Sequence, residues 1–194
     1  MSDAAPDADT VAMLRLRDGD DLALNELMMR WQQPLAGYLY RYTLSEADAL
    51  DLAQDTFVRV YEHRKKYDAR GKFSTWLYTI ATNLCRNHAR WKSRHPTVSM
   101  ETELSTNSDT TLGEQLPDGK ATPAQCAQTD ELAGAVRDAI QTLPDDQRTA
   151  TLLYEYEDAA YTDIATVLGC SVKAVENKLY RARQSLREKL ARWL

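Results

Sequence analysis

The segment YTDIATVLGCSVKAVENKLYRARQSLREKL, Tyr161 to Leu190, holds two helical patterns around a Gly-Cys-Ser break. In the first, Ile164, Val167 and Leu168 share one side, and Ala165 is small where another helix must come close. Gly169 suits the left-handed residue that ends a helix. Ser171 suits the N-cap of the next one. There Val172, Val175, Leu179, Ala182 and Leu186 recur at steps of three and four, which predicts a buried stripe. The opposite side carries Lys173, Glu176, Asn177, Lys178, Tyr180, Arg181, Arg183 and Gln184. This is the pattern of a helix-turn-helix whose second helix enters a major groove. Lys and Arg would meet phosphates and guanine edges, Asn177 pairs with adenine, and Glu176 accepts from cytosine. A solvated hairpin would also carry charge on its outer face. The small Ala, the Gly break, the Ser cap and the cations coincide here, and together they favour DNA.

Working outward, the 194 residues suit one large or two small domains. Hydrophobic residues make up 43% and charged residues 27%, a folded composition. Only 7 Gly and 6 Pro occur and few runs alternate with period two, so helices are expected throughout. No apolar run approaches the roughly 20 residues of a membrane span. The start, MSDAAPDADT, is acidic and lacks the basic and apolar regions of a signal peptide. Three scattered cysteines, Cys85, Cys126 and Cys170, fit a reducing cytoplasm better than a disulfide framework. The net charge of -5 hides two basic regions. Glu62 to Arg94 holds nine cations against two anions, and Ser171 to Leu194 holds seven against two. Local patches of this kind attract phosphate whatever the total charge.

Helical periodicity predicts helices over Val11–Arg17, Asp20–Tyr42, Ser45–Glu62 and Phe73–Arg94. Ser45 is the expected cap of the third, with Leu50, Phe57, Val58 and Tyr61 on its buried side. Further helices are expected over Ala124–Leu143, Asp145–Glu157, Tyr161–Leu168 and Ser171–Trp193. Residues 96–122 have no apolar period and are rich in Ser, Thr, Asp, Glu and Gly. They read as a flexible acidic linker, which averages roughly 30 Å as a coil and reaches up to ~90 Å when stretched. The expected architecture is all-α: two small helical domains, 1–95 and 123–194, joined by that linker, with the helix-turn-helix in the second.

The first domain carries its own signal. In DALDLAQDTFVRVYEH, residues Asp48, Asp51, Gln54, Asp55 and Arg59 fall on the outer side. In KFSTWLYTIATNLCRNHARWKSR, residues Thr79, Asn83, Arg86, Asn87 and Arg90 do so, beside aromatics and a basic loop. Amides, aromatic faces and cations are the composition of a single-strand surface. Other chemistry is not indicated. Cys85 and His88 lie one turn apart, with His95 beyond, but no second Cys/His pair completes a metal set, so no metal is expected. No Gly-rich phosphate loop or GxSxG is present. Neither a cofactor nor catalysis is expected.

With these residues in hand, the blocks DLAQDTFVRVY, FSTWLYTIATN and LPDDQRTATLLYEYEDAAYTDIATVLGCSVKAVENKLYRARQSLREKL resemble the two characteristic regions of an extracytoplasmic-function (group IV) sigma factor of bacterial RNA polymerase. The resemblance covers about Thr10 to Arg94 and Asp130 to Leu190, in the usual order, and leaves the linker unmatched. It implies a promoter-specificity subunit. The first domain would dock on the clamp helices of core polymerase through Asp51, Gln54 and Asp55. It would melt the minus-ten element and trap a flipped base with the loop Asp68, Ala69, Arg70, Gly71, Lys72 and with Asn83, Arg86 and Asn87. The second domain would sit on the polymerase flap and bind the minus-thirty-five duplex through Lys173, Glu176, Asn177, Lys178, Tyr180 and Arg181. Many relatives carry a basic residue where Glu176 stands, and a carboxylate there turns the preference toward a cytosine amine. Promoter boxes roughly 20 base pairs apart are separated by ~70 Å, within reach of a stretched linker. The resemblance also implies an anti-sigma partner. The alternatives are a stand-alone helix-turn-helix regulator with a helical sensory domain, and a helical enzyme using Cys85 and His88.

Overall fold

A computed structural model describes residues 7–95 and 123–193. The expected linker, 96–122, lies outside the described residues. Asp7 opens α1 (Ala8–Arg17) by accepting the Thr10 amide at 2.7 Å. The chain turns into α2 (Leu22–Thr43), which ends on Leu44 in the left-handed region at φ 54°. Ser45 caps α3 (Glu46–His63), its hydroxyl accepting the Asp48 amide at 3.2 Å, as its place in the sequence predicts. A 3-10 turn over Arg64–Lys66 and the basic loop lead to α4 (Phe73–Arg94). The second series is α5 (Pro123–Gln141), α6 (Asp145–Tyr156), α7 (Tyr161–Leu168) and α8 (Val172–Lys189). Among the described residues every regular element is a helix. None is long and apolar enough to cross a membrane.

The core of the first four helices is rich in aromatic rings. Tyr38, Phe73, Leu27, Leu35, Leu39 and Leu77 are fully buried. Trp31 meets Phe73 and Tyr78 edge-on at 6.0 and 6.1 Å, and Tyr38 meets Tyr78 at 5.2 Å. Two pairs of buried hydroxyls bond to each other: Tyr38 with Thr82 at 2.8 Å, and Thr10 with Tyr67 at 3.2 Å. A buried hydroxyl left without a partner is costly, so the Tyr38–Thr82 pair favours one register of α2 on α4, and Thr10–Tyr67 ties α1 to the basic loop. In the second series, Leu152, Leu153, Ile164, Val175, Leu179 and Ala182 form the centre. Gly169 takes the left-handed conformation at φ 63°, and Ser171 accepts the Ala174 amide at 3.2 Å. These two features make the turn of the helix-turn-helix.

Three residues expected inside are outside. Leu50 is 52% exposed and Val58 54% exposed, because α3 turns Ala49, Leu52, Ala53, Thr56, Phe57 and Val60 inward instead. The small Ala49 and Ala53 let α3 lie close against α2. Val172 is 38% exposed, since it stands in the first turn of α8, ahead of the point where α7 covers the helix. The two helical series also touch. Helices α2 and α4 pack against α6 and α7, and the buried side chains of both series join in one cluster.

Candidate nucleic-acid interface

Helix α4 presents Asn83, Asn87 and Arg90 to solvent, at successive helical turns. The Asn87 side-chain oxygen accepts from Arg90 at 2.5 Å. The loop before α4 is exposed from Asp68 to Lys72. Arg70 donates to both Asp68 carboxylate oxygens, at 3.0 and 2.9 Å, and this holds the carboxyl down at about 2. Tyr67, buried beneath, donates to the Gly71 carbonyl at 3.1 Å and shapes the loop. Ala69 is exposed at its tip.

Helix α8 presents Lys173, Asn177, Tyr180 and Arg181 on one outer face, with Tyr180 at 64% exposure. Glu176 is half-buried and accepts from Lys173 at 2.6 Å, so the carboxylate is already neutralised by its own helix. Lys178 turns aside and reaches Asp146 at 2.6 Å. An open groove between the start of α6 and α8 is lined by Asp146, Asn177, Lys178 and Arg181. On α3, Asp51, Gln54 and Asp55 are exposed as the sequence predicts, and the two misplaced apolar residues, Leu50 and Val58, flank them.

The third arrangement was not visible in the sequence. Arg86 Nε donates to Asp145 and its Nη2 to Asp146, both at 2.8 Å. Tyr42 donates to Asp145 and Tyr78 to Glu157. Lys72 meets Asp163 at 2.8 Å, and Gln141 donates to the Arg41 carbonyl at 2.8 Å. Burial pushes the Tyr42 and Tyr78 hydroxyls well above the ordinary tyrosine range, with the neighbouring carboxylates adding to it. Glu157 is likewise raised by burial, against the opposing pull of the Tyr78 hydroxyl and Arg41. Burial works against the charge on Arg86, but Asp145 and Asp146 outweigh it and the pKa rises. Cys85, the nucleophile of the enzyme reading, is buried and pushed up to about 12, the reverse of an activated thiolate.

Comparison with known proteins follows the same division. The Sigma-70 region 2 family matches residues 27–95, and the Sigma-70, region 4 family matches residues 133–186. The RNA polymerase sigma-H factor of Pseudomonas aeruginosa is 33% identical over 89% of this chain and 88% of its own. The chain belongs to the extracytoplasmic-function sigma factors. The ECF RNA polymerase sigma-E factor of Haemophilus influenzae is 34% identical to this sigma factor, covering 94% of it and 95% of the relative. Among solved structures, that of CnrH in complex with the cytosolic domain of CnrY is similar at a TM-score of 0.70 and 26% identity, over 95% of this chain and 98% of that one. The sigma factor RpoE of Bartonella quintana, solved with the anti-sigma factor NepR, shares the fold at a TM-score of 0.62 and 21% identity, over 86% and 96% of the two chains. The match to region 2 occupies the half that a sensory domain would need, so the stand-alone regulator is not favoured.

Proposed function

We propose that this sigma factor divides its work between residues 1–95, which bind core polymerase and open the minus-ten element, and residues 123–194, which bind the minus-thirty-five duplex, with 96–122 as the linker. The observation that carries the reading is the pair of exposed faces, on α4 with its preceding loop and on α8, each mixing cations with amides on a different half of the chain. Asn83, Arg86, Asn87 and the loop Asp68–Lys72 suit an unstacked strand, where an extruded base exchanges stacking for pocket hydrogen bonds. Lys173, Asn177, Lys178, Tyr180 and Arg181 suit a groove, and Glu176 a cytosine amine. On α3, Asp51, Gln54 and Asp55 suit the polymerase clamp. The partners in this reading are core polymerase, promoter DNA in both duplex and single-stranded form, and an anti-sigma factor in the cytoplasm. The Bartonella RpoE, solved with the anti-sigma factor NepR, supports the last of these.

Adding the purified chain to sigma-free core polymerase, with fragmented genomic templates, is expected to give discrete promoter-dependent run-off transcripts. A stand-alone regulator would give none. Within this function, Arg181→Ala is expected to weaken duplex binding and to lower the salt slope, d log K/d log[salt], by about 1 in magnitude. Fluorescence anisotropy across a salt series measures it. An unchanged slope would remove Arg181 from phosphate contact. Because Arg181 is exposed, its loss leaves folding unaffected.

A further inference from the structure

The buried side of α4 ends at Cys85, yet the helix runs on to Arg94. From Ala89 to His95 every residue is exposed, so this end projects past the core. Its sequence, ARWKSRH, holds three cations and an imidazole and no carboxylate. Cations suit the negative end of a helix dipole, which accounts for the arginines and the lysine but not for a tryptophan. Trp91 is 56% exposed. Its indole is stacked on the His95 ring, with centroids 5.0 Å apart and planes 24° apart. His95 Nδ1 lies 3.1 Å from the Trp91 carbonyl oxygen, a contact that holds the imidazole in place. Lys92 reaches Asp48 of α3 at 3.0 Å and His88 lies 3.5 Å from the same carboxylate, so the projecting end is braced against α3. Trp91 stands one turn beyond Asn87 and two beyond Asn83, within about 80° around the helix. Arg90 and Arg94 continue the line of the two asparagines.

We infer that Trp91, backed by His95, is a further strand-binding platform: an unpaired DNA base stacks on the indole while Arg90 and Arg94 hold its phosphates. The inference rests on the single-strand role proposed for Asn83 and Asn87, and it lengthens their track. One helical turn, about 5.4 Å, is one to two nucleotide steps at about 3.4 Å each. The platform therefore meets a base one or two nucleotides beyond the one at Asn87. Cations alone would serve a duplex as well as a strand. The indole decides between them, because a base offers its face to an aromatic ring only when it is out of the duplex stack. His95 covers one face of the indole and sets its plane before DNA arrives, so less ordering opposes binding. The other face remains for a base. Opening a duplex forfeits stacking at the edge of the opened segment, and the platform replaces one such contact.

Fluorescence anisotropy with the full-length chain tests this. The probes are a short labelled single strand of mixed sequence, the matching duplex, and an abasic strand of the same length, which keeps the phosphates without the bases. Trp91→Ala is expected to weaken binding of the single strand about tenfold, the loss of one stacked base. Binding of the duplex and of the abasic strand should stay within about twofold. Trp91→Phe keeps a smaller ring and should hold the strand within about threefold of wild type. It should also lose the quenching of indole fluorescence that the strand causes in the wild type. Arg94→Ala should lower the salt slope of strand binding by about 0.7 in magnitude, whereas Trp91→Ala leaves the slope unchanged. Because Trp91 is exposed, its replacement leaves folding intact, which an unchanged Tm verifies. Strand binding equal in wild type and Trp91→Ala, whether tight or absent, overturns the platform. So does an equal loss on the duplex or the abasic strand. Run-off transcription by the wild-type chain with core polymerase is measured in parallel. Transcripts without any effect of Trp91→Ala on the strand would sink this inference alone, whereas absence of transcripts would sink the functional reading itself.

Discussion

Phe73→Ala is expected to cost about 3–5 kcal/mol of folding stability. Phe73 is the first residue of α4 and is 1% exposed. Its ring lies 6.0 Å from Trp31, 6.4 Å from Tyr67 and 6.4 Å from Trp76. Three rings on three different elements converge on it, so truncation leaves a cavity that none of them closes without leaving its own partner. The lost transfer energy and the cavity add together. Thermal unfolding followed by circular dichroism should show Tm lower by about 10 °C, given roughly 2–4 °C per kcal/mol for a chain of this size. Leu22→Ala is the comparison. Leu22 is 71% exposed, and its loss should stay within about 0.5 kcal/mol. A drop below about 1 kcal/mol for Phe73→Ala would mean that the aromatic cluster is not the centre of the first half.

The helices were legible because their signals are local. Phe73–Arg94 and Tyr161–Leu168 are bounded in the structure as the periodicity predicts, and the Ser45 and Ser171 caps bond as expected. Each depends on residues within one or two turns. Which face of a helix turns inward is not local. Periodicity assigned Leu50 and Val58 to the inside of α3 because they are the larger apolar residues. The fold chose Ala49 and Ala53, whose small size permits close approach to α2. Leu50 and Val58 lie about 120° or more around the helix from Leu52 and Thr56, and that offset was the one sequence signal available. The acidic pair Asp145–Asp146 reads locally as first-turn residues favouring the helix dipole. That it meets Arg86, 59 and 60 residues earlier in the chain, is set by how α4 and α6 pack, which no spacing in either segment records. The candidate DNA residues on α8 were legible as an exposed face. The half-buried positions, Arg86 and Lys178, were legible as cations but not as bonded ones.

Leu50→Glu combined with Val58→Glu is expected to lower capture by core polymerase about 100-fold or more. Exposed large apolar residues on a monomer's helix are explained by a partner that covers them when, as here, they bracket a polar contact set. Leu50, Gln54 and Val58 follow one another at successive turns and span about 12 Å of α3, with Asp51 and Asp55 beside them. Covering two such side chains contributes about 1.5–3 kcal/mol each. Glutamate in their place removes that and adds two desolvated charges beside two existing carboxylates. Folding should be unaffected, since both sites are more than half exposed and glutamate is a good helix former. Tm within about 2 °C of wild type, together with unchanged binding to promoter duplex by the free protein, separates loss of the polymerase from loss of the fold. Leu50→Ala with Val58→Ala, which removes the apolar contact without adding charge, should fall between, at about tenfold. Surface-plasmon capture on immobilised core polymerase measures all three. If the glutamate pair binds core as wild type does, the outer face of α3 is not the docking surface, and the roles proposed for Asp51, Gln54 and Asp55 fall with it.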